Sequence, residues 1–260
     1  MKKFTIRLLC VMWFSFLGIG LQAQYLADGD NVSQKLLSLD SNSLHTSLAF
    51  WLSFNPDMDS TQKMEIQQQV TDFCDLLVLK RTKFKTEENF LWYAFNRVHH
   101  DFLQCYEVNT PFYKIFKSKS YNCVTGSAFF ALVFKQLGYI ISIRETASHA
   151  YLVIQLEKGR IMIESTDPQN GFITNQKIIW KKEKALAENA NRALIHEISL
   201  MNLCGLQFYN QAVKLFYSKH YSEANMLLEK GMAFYPASSK IWYLHRKISG
   251  LQMSYSHAGL

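Results

Sequence analysis

A change in hydrophobic periodicity near Tyr139 constrains the fold more than any other feature of the sequence. The segments Tyr139–Arg144, Ala150–Leu156 and Arg160–Glu164 are short and rich in Ile, Val and Tyr, a composition typical of β-strands. Turn residues separate these segments, and Lys158-Gly159 predicts a hairpin between the last two. Both flanks of the region have helical spacing instead. The sequence therefore predicts an α+β fold with a small antiparallel sheet between helical regions.

Helical patterns occupy the chain before and after the predicted sheet. Ser60–Phe84 and Glu87–Tyr106 place apolar residues at helical spacing, and Cys123–Leu137 predicts a further helix that ends at Gly138. After Gly171 the pattern predicts helix to the end of the chain. The chain then divides into a helical N-terminal region (25–107), a core with a helix packed on the sheet (108–180) and a helical tail (181–260).

The first 24 residues have the features of a secretory signal peptide. Lys2, Lys3 and Arg7 precede an apolar run from Leu8 to Leu21, and the small residue Ala23 predicts cleavage near that position. The run is short and broken by glycine, so an uncleaved membrane anchor is the less favoured interpretation. The sequence predicts an exported protein, periplasmic or secreted, that meets the membrane only during export.

The charge of the chain argues against nucleic-acid binding. Removal of Lys2, Lys3 and Arg7 with the signal segment lowers the formal net charge from +7 to +4. The positive residues are scattered, whereas a nucleic-acid surface would group them in a patch or stripe. His99 and His100 are adjacent on a predicted helix and point about 100° apart, so they cannot easily share one metal ion. A partly buried histidine beside a surface one is expected, and the sequence predicts neither a metal nor a cofactor.

Four cysteines follow the signal segment: Cys74, Cys105, Cys123 and Cys204. Export permits disulfides, so a Cys74–Cys105 bridge is one interpretation, and buried free thiols in apolar helical patterns are the other. Cys123 differs because it begins a predicted helix. The unpaired amides and positive dipole end of a helix N-terminus favour a thiolate and can donate to a developing oxyanion.

His149 and Asp167 complete a candidate site with Cys123. His149 directly precedes the second predicted strand, and Asp167 follows the third. If these strands pair through the hairpin, both side chains meet at one end of the sheet, where the helix headed by Cys123 would pack. A weak nucleophile needs an adjacent base that is itself oriented by a third group. The pattern predicts a Cys–His–Asp site for nucleophilic catalysis.

Three motifs in this order resemble the transglutaminase-like superfamily: Asn122-Cys123 before an apolar helix, Ser148–Val153, and Glu164–Pro168. In that superfamily the cysteine heads a helix, and the histidine and aspartate lie on adjacent antiparallel strands. The resemblance covers about residues 121–171. It implies that Cys123 is the nucleophile, His149 the general base and acid, and Asp167 the group that orients the imidazole.

The activity that the resemblance implies is acyl transfer at an amide or peptide bond of a peptide or protein substrate. A thioester would form and pass its acyl group to water or to an amine. Hydrolysis is favoured over cross-linking, since bacterial members of the superfamily are more often hydrolases. Tyr151 departs from the family, which often has tryptophan there, and Tyr121 and Asn122 are the candidates for a second oxyanion donor.

A tetratricopeptide-like pattern lies in the C-terminal tail, from about 205 to 238. Its large and small residues fall near the spacing of one such repeat: Phe208, Ala212, Tyr221, Ala224, Leu228, Gly231 and Pro236. One repeat cannot bury its apolar faces alone, so the tail is expected to dock on the rest of the chain or on a partner. The alternative to an enzyme is therefore an interaction module of the bacterial envelope that binds a protein partner through these helices.

Overall fold

The computed structural model describes residues 44–55, 57–188 and 195–257. The predicted signal peptide, residues 1–24, lies outside the described residues. From Leu48 onward the described residues belong to one compact unit. Within the described ranges, no helix combines the length and the apolar character that crossing a bilayer requires.

Three helices open the described chain: α1 (Leu44–Ser53), α2 (Ser60–Arg81) and α3 (Glu87–Asp101). Asp59 fixes the start of α2, because its side chain accepts a hydrogen bond from the Gln62 amide while the Gln62 side chain accepts one from the Asp59 amide. The predicted helices Ser60–Phe84 and Glu87–Tyr106 are confirmed as α2 and α3, and both end earlier than predicted.

The segment between α3 and the next long helix corrects the prediction that helix continues to Tyr106. It contains β1 (Cys105–Tyr106), α4 (Lys114–Ser118) and β2 (Ser120–Tyr121), and the two strands pair in parallel. The amides of Gln104 and Cys105 both donate to the Lys119 carbonyl at 3.0 Å. Pairing with a distant segment thus satisfies the backbone here and overrides the local helical pattern.

Helix α5 (Cys123–Gln136) forms the centre of the molecule. Every residue from Val124 to Phe134 is buried, as expected for a helix that is apolar on all sides. Gly138 follows the C-cap Leu137 with a φ of 86°, a left-handed conformation that suits glycine. Both ends of the predicted helix are confirmed within one residue.

A five-stranded antiparallel sheet packs against α5, in the order β6-β5-β4-β3-β7. Its strands are β3 (Ile140–Glu145), β4 (Ala150–Leu156), β5 (Gly159–Ile163), β6 (Phe172–Ile173) and β7 (His196–Ile198). The three predicted strands are confirmed, and so is the mixed helix-and-sheet class. The prediction of unbroken helix after Gly171 is wrong at β6 and β7, whose few residues gain their hydrogen bonds from the sheet rather than from local propensity.

The opposite face of the sheet is covered by α6 (Gln176–Glu188). A core cluster forms between them from residues at alternate strand positions and one helical residue: Tyr151, Val153, Met162, Ile173 and Ile179. The sheet is therefore buried on both sides around β4, which explains why β4 reads as a nearly continuous apolar segment.

After β7 the tail consists of α7 (Leu200–Tyr217), α8 (Tyr221–Phe234) and α9 (Ser239–His257). Gly205 allows α7 and α8 to cross closely, because a Cβ there would lie 2.9 Å from the Gly231 carbonyl. The tail also contacts the core, since Gln207 Oε1 accepts a hydrogen bond from the Phe112 amide at 2.7 Å. The expected docking on the rest of the chain is confirmed, while membership of the tetratricopeptide family stays a prediction.

Candidate active site

The first turn of α5 holds Cys123 in a fixed position. Asn122 Oδ1 accepts hydrogen bonds from the amides of Val124 and Thr125, both at 3.0 Å, and Asn122 Nδ2 donates to the Thr110 carbonyl at 3.1 Å. Asn122 is itself buried. Cys123 is only partly buried and is a free thiol. The sequence thus places a solvent-reachable sulfur at a rigid helix start.

The capping interactions account for three of the four amides that an α-helix leaves without intrahelical partners at its start. The amides of Val124 and Thr125 bind the Asn122 side chain, and the Asn122 amide donates to Thr125 Oγ1 at 3.0 Å. The fourth amide is that of Cys123. An amide at this point lies beside the nucleophilic sulfur and at the positive end of the helix dipole, the location that oxyanion stabilisation requires.

His149 lies in the turn between β3 and β4. The turn is closed by Thr146, whose amide donates to the His149 carbonyl at 2.8 Å and whose Oγ1 accepts from the His149 amide at 3.1 Å. Below the imidazole lies the fully buried Tyr151, with its ring nearly parallel to that of His149 at a centroid distance of 6.5 Å. Hydrogen bonds to the backbone of His149 therefore fix the turn, and the Tyr151 ring lies next to the imidazole.

The His149 side chain contacts a thiol and a carboxylate at once. Its Nε2 donates to Glu164 Oε2, and its side chain also interacts with that of Cys123. Burial lowers the pKa of His149, but the hydrogen bonds and negative charges of Cys123 and Glu164 outweigh burial and raise that pKa to about 10. The raised pKa favours the protonated form of the imidazole.

The carboxylate in contact with His149 is that of Glu164, whereas the sequence predicted Asp167 for this position. Strand β5 ends at Ile163, and the chain then turns: the Asp167 amide donates to the Glu164 carbonyl at 3.2 Å, and the Gly171 amide donates to the Asp167 carbonyl at 2.7 Å. Asp167 Oδ1 accepts from the Asn170 amide at 2.9 Å. The structure thus brings Cys123 and His149 together with Glu164, while Asp167 closes the turn that follows.

A signal for Glu164 was present in the predicted hairpin. The observed register pairs Leu152 with Ile163, and one further step places Glu164 opposite Tyr151. Side chains alternate along a strand, so Glu164 shares a face with Tyr151 and lies diagonal to His149. The resemblance implies that the aspartate of Glu164–Pro168 orients the imidazole, whereas the hairpin register places the glutamate beside it.

The other three thiols lie in different surroundings from Cys123. Burial raises the pKa of Cys74 to about 12, with a further contribution from Asp75, and burial raises the pKa of Cys204 well above its ordinary value. Cys105 is exposed, and all four are free thiols rather than members of a Cys74–Cys105 bridge. The adjacent histidines divide as expected, with His99 buried and His100 exposed.

The site combines a partly exposed cysteine at a helix start, an imidazole whose pKa is raised and a carboxylate side chain that is 10% exposed. These groups can support attack by sulfur on an electrophilic carbon and transfer of a proton to a leaving group. No family model, curated protein or solved structure matches the chain.

Proposed function

We propose that this chain is an exported thiol hydrolase of the transglutaminase-like type that cleaves an amide or peptide bond. The observation that carries the proposal is the His149 imidazole between the Cys123 thiol and the Glu164 carboxylate. In this assignment Cys123 is the nucleophile, His149 the proton carrier and Glu164 the group that orients the imidazole. A peptide or protein of the bacterial envelope is the proposed class of substrate.

The first half of the reaction forms a thioester. The Cys123 thiolate attacks the carbonyl carbon of the amide, and a carbon–sulfur bond forms as the carbonyl oxygen becomes an oxyanion. The oxyanion accepts a hydrogen bond from the Cys123 amide. The carbon–nitrogen bond then breaks as cationic His149 donates its proton to the nitrogen, and the amine leaves.

The second half returns the enzyme to its starting state. Neutral His149 takes a proton from a water molecule that attacks the thioester carbon, and the carbon–sulfur bond breaks to release the carboxylic acid and the thiolate. The carboxylate of Glu164 stabilises the imidazolium in both halves and keeps one ring nitrogen facing the sulfur. Because Nε2 faces Glu164, Nδ1 is the nitrogen left for the thiol.

A non-catalytic interaction module remains the second candidate. The observation in its favour is a set of outward-facing apolar residues on the tail helices: Tyr217, Met226, Trp242 and Tyr243. If the tail is a separable binding surface, deletion of residues 205–260 should leave a soluble core with unchanged Cys123 reactivity. The buried contact between Gln207 and Phe112 argues against this separation, and we expect the truncated chain to aggregate.

The thiol proposal is tested by site-resolved alkylation of the full chain with iodoacetamide at neutral pH. Cys123 should be labelled faster than Cys105 although Cys105 is the more exposed thiol, because His149 lies beside Cys123 as a base that can activate the nucleophile. His149→Gln should abolish that advantage. A matched control is His100→Gln, which changes an exposed histidine outside the site and should leave both rates unchanged.

Two outcomes would contradict the proposal. One is a wild-type chain in which Cys105 is labelled at least as fast as Cys123. The other is an unchanged Cys123 rate in His149→Gln, which would mean that the imidazole does not act on the sulfur. A positive result then justifies a screen of peptide amides, with Cys123→Ser as the inactive control.

A further inference from the structure

Two residues of the tail bind one buried carboxylate of the sheet. Glu145, the last residue of β3, is 4% exposed. Its Oε2 accepts a hydrogen bond from the Tyr235 hydroxyl at 2.7 Å, and its Oε1 lies 2.7 Å from Lys240 Nζ. Tyr235 lies between α8 and α9, and Lys240 lies in the first turn of α9. These contacts join segments that are about ninety residues apart in the sequence.

The same lysine also binds the turn that carries His149. Lys240 Nζ donates to the Thr146 carbonyl at 3.2 Å. The Thr146 amide in turn donates to the His149 carbonyl, and Thr146 Oγ1 accepts from the His149 amide. A continuous series of hydrogen bonds therefore runs from Lys240 to Glu145 and Thr146, and from Thr146 to His149. The tail thus binds the β3 end of the β3–β4 turn, and the ladder pair of Glu145 with Ala150 connects that end to the start of β4.

We propose that Lys240 and Tyr235 are positioning residues, which hold the β3–β4 turn so that the His149 imidazole lies between Cys123 and Glu164. The role rests on the proposed function, because it is defined by reactivity at Cys123. In this role the tail supports the site: Tyr235 and Lys240 hold the turn that carries His149, so the tail is not an independent module.

The polar character of the contact supports this role over simple packing. A buried carboxylate is costly unless a cation and hydrogen-bond donors satisfy it, and removal of one partner leaves its charge uncompensated. Burial, together with the hydrogen bond to Glu145 and its negative charge, raises the pKa of Tyr235, so the hydroxyl stays a neutral donor. The orientation of Glu145 and the turn beside it is therefore fixed by directional bonds.

The experiment compares Lys240→Met and Tyr235→Phe with wild type in the full chain. The first measurement is the rate of Cys123 alkylation by iodoacetamide across a range of pH. We expect Lys240→Met to lower that rate at neutral pH by about tenfold, as the loss of one charge-assisted hydrogen bond predicts. The pH profile should also differ from that of wild type, because a displaced imidazole no longer acts on the sulfur. Lys240→Arg should restore most of the rate.

The second measurement is amide hydrogen exchange at His149, whose amide donates to Thr146 Oγ1. Exchange should become faster in both variants, since the turn opens more often. Lys230→Met is the matched control, because Lys230 is an exposed residue of α8 and its loss removes the same charge from the same tail. This control should change neither the alkylation rate nor the exchange rate.

The outcomes separate this inference from the proposed function. If Cys123 reacts faster than Cys105 in wild type and both variants keep the wild-type pH profile, the inference is wrong and the proposed function stands. The inference is also wrong if the variants lower the melting temperature but leave the Cys123 alkylation rate and its pH profile unchanged. If Lys240→Met does not fold, Tyr235→Phe decides, because it removes one hydroxyl and retains the ring. If wild-type Cys123 shows no advantage, the proposed function fails first and the positioning role fails with it.

Discussion

His149 Nε2 donates a hydrogen bond to Glu164 Oε2 at the end of the sheet where β4 begins and β5 ends. The two side chains are 21% and 10% exposed, so little water screens their interaction. The same imidazole interacts with the Cys123 side chain, which contributes to its raised pKa. One ring thus links a sulfur to a carboxylate, and each link can be broken by a separate substitution.

Glu164→Gln should slow Cys123 alkylation, whereas Asp167→Asn should not. Replacement of the carboxylate by an amide removes the charge that stabilises the imidazolium, and we expect the Cys123 rate at neutral pH to fall by about tenfold. Asp167→Asn retains an oxygen that can accept from the Asn170 amide, so its rate should stay near that of wild type. Site-resolved mass spectrometry of the two variants checks the pair. If Asp167→Asn slowed Cys123 alkylation and Glu164→Gln did not, the orienting carboxylate would be that of Asp167 rather than Glu164.

The stability contributed by His149 should decline as the pH rises. The pKa of His149 is raised in the folded chain from 6.5 to about 10, so the cationic form favours folding. This stabilisation is complete below about pH 6.5 and is lost as the pH rises through about 10. His149→Gln lacks the contribution at every pH. The difference in free energy of unfolding between wild type and His149→Gln, measured with urea at several pH values, should therefore change in favour of the variant over that interval.

A constant difference across the interval would contradict the pH prediction. It would mean that His149 has the same proton affinity in the folded and unfolded chains. His100→Gln provides the reference for the loss of an exposed histidine outside the site.

The sequence allowed the sheet and the sulfur position to be predicted because both depend on local signals. The hairpin at Lys158-Gly159 and the high content of Ile, Val and Tyr specify β4 and β5. The start of α5 is specified by Asn122, a strong N-cap residue. These features need only a few neighbouring residues, so no knowledge of the remaining chain was required.

Contacts between distant segments could not be predicted in this way. The pairing of β1 with β2 depends on a strand partner that local propensity does not reveal, and the predicted helix therefore ran on to Tyr106. The bond between Tyr235 and Glu145 depends on how the tail packs, and a tyrosine and a glutamate carry no signal for each other in the sequence. Glu164 is an intermediate case. Its position opposite Tyr151 follows from the register of the β4–β5 hairpin, which the turn at Lys158-Gly159 sets.

Gly126→Ala should disturb the site through backbone packing. A Cβ at Gly126 would lie 2.9 Å from Ser165 Oγ and 3.0 Å from Tyr121 Cδ2, so α5 would have to move away from the turn that follows Glu164. We expect a loss of about 1–3 kcal/mol in the free energy of unfolding, together with slower Cys123 alkylation. Gly250→Ala is the control, because no atom lies within 4 Å of its added Cβ, and in an exposed helix it should stabilise by about 1 kcal/mol. Equal effects of the two variants would mean that close packing at Gly126 is unimportant.

Gln207→Leu should weaken the attachment of the tail to the core. Gln207 is 2% exposed and its Oε1 accepts from the amide of the buried Phe112. Leucine fills a similar volume but leaves that amide without its partner, and a buried unsatisfied amide costs about 1–3 kcal/mol. Thermal unfolding should therefore shift to lower temperature as a single transition, because tail and core unfold together. Gln211→Leu, one turn later on α7 and partly exposed, should change the midpoint little. Two separate transitions, of which only one responds to Gln207→Leu, would instead show that the tail folds independently, and the interaction-module hypothesis would then be favoured over a thiol site completed by the tail.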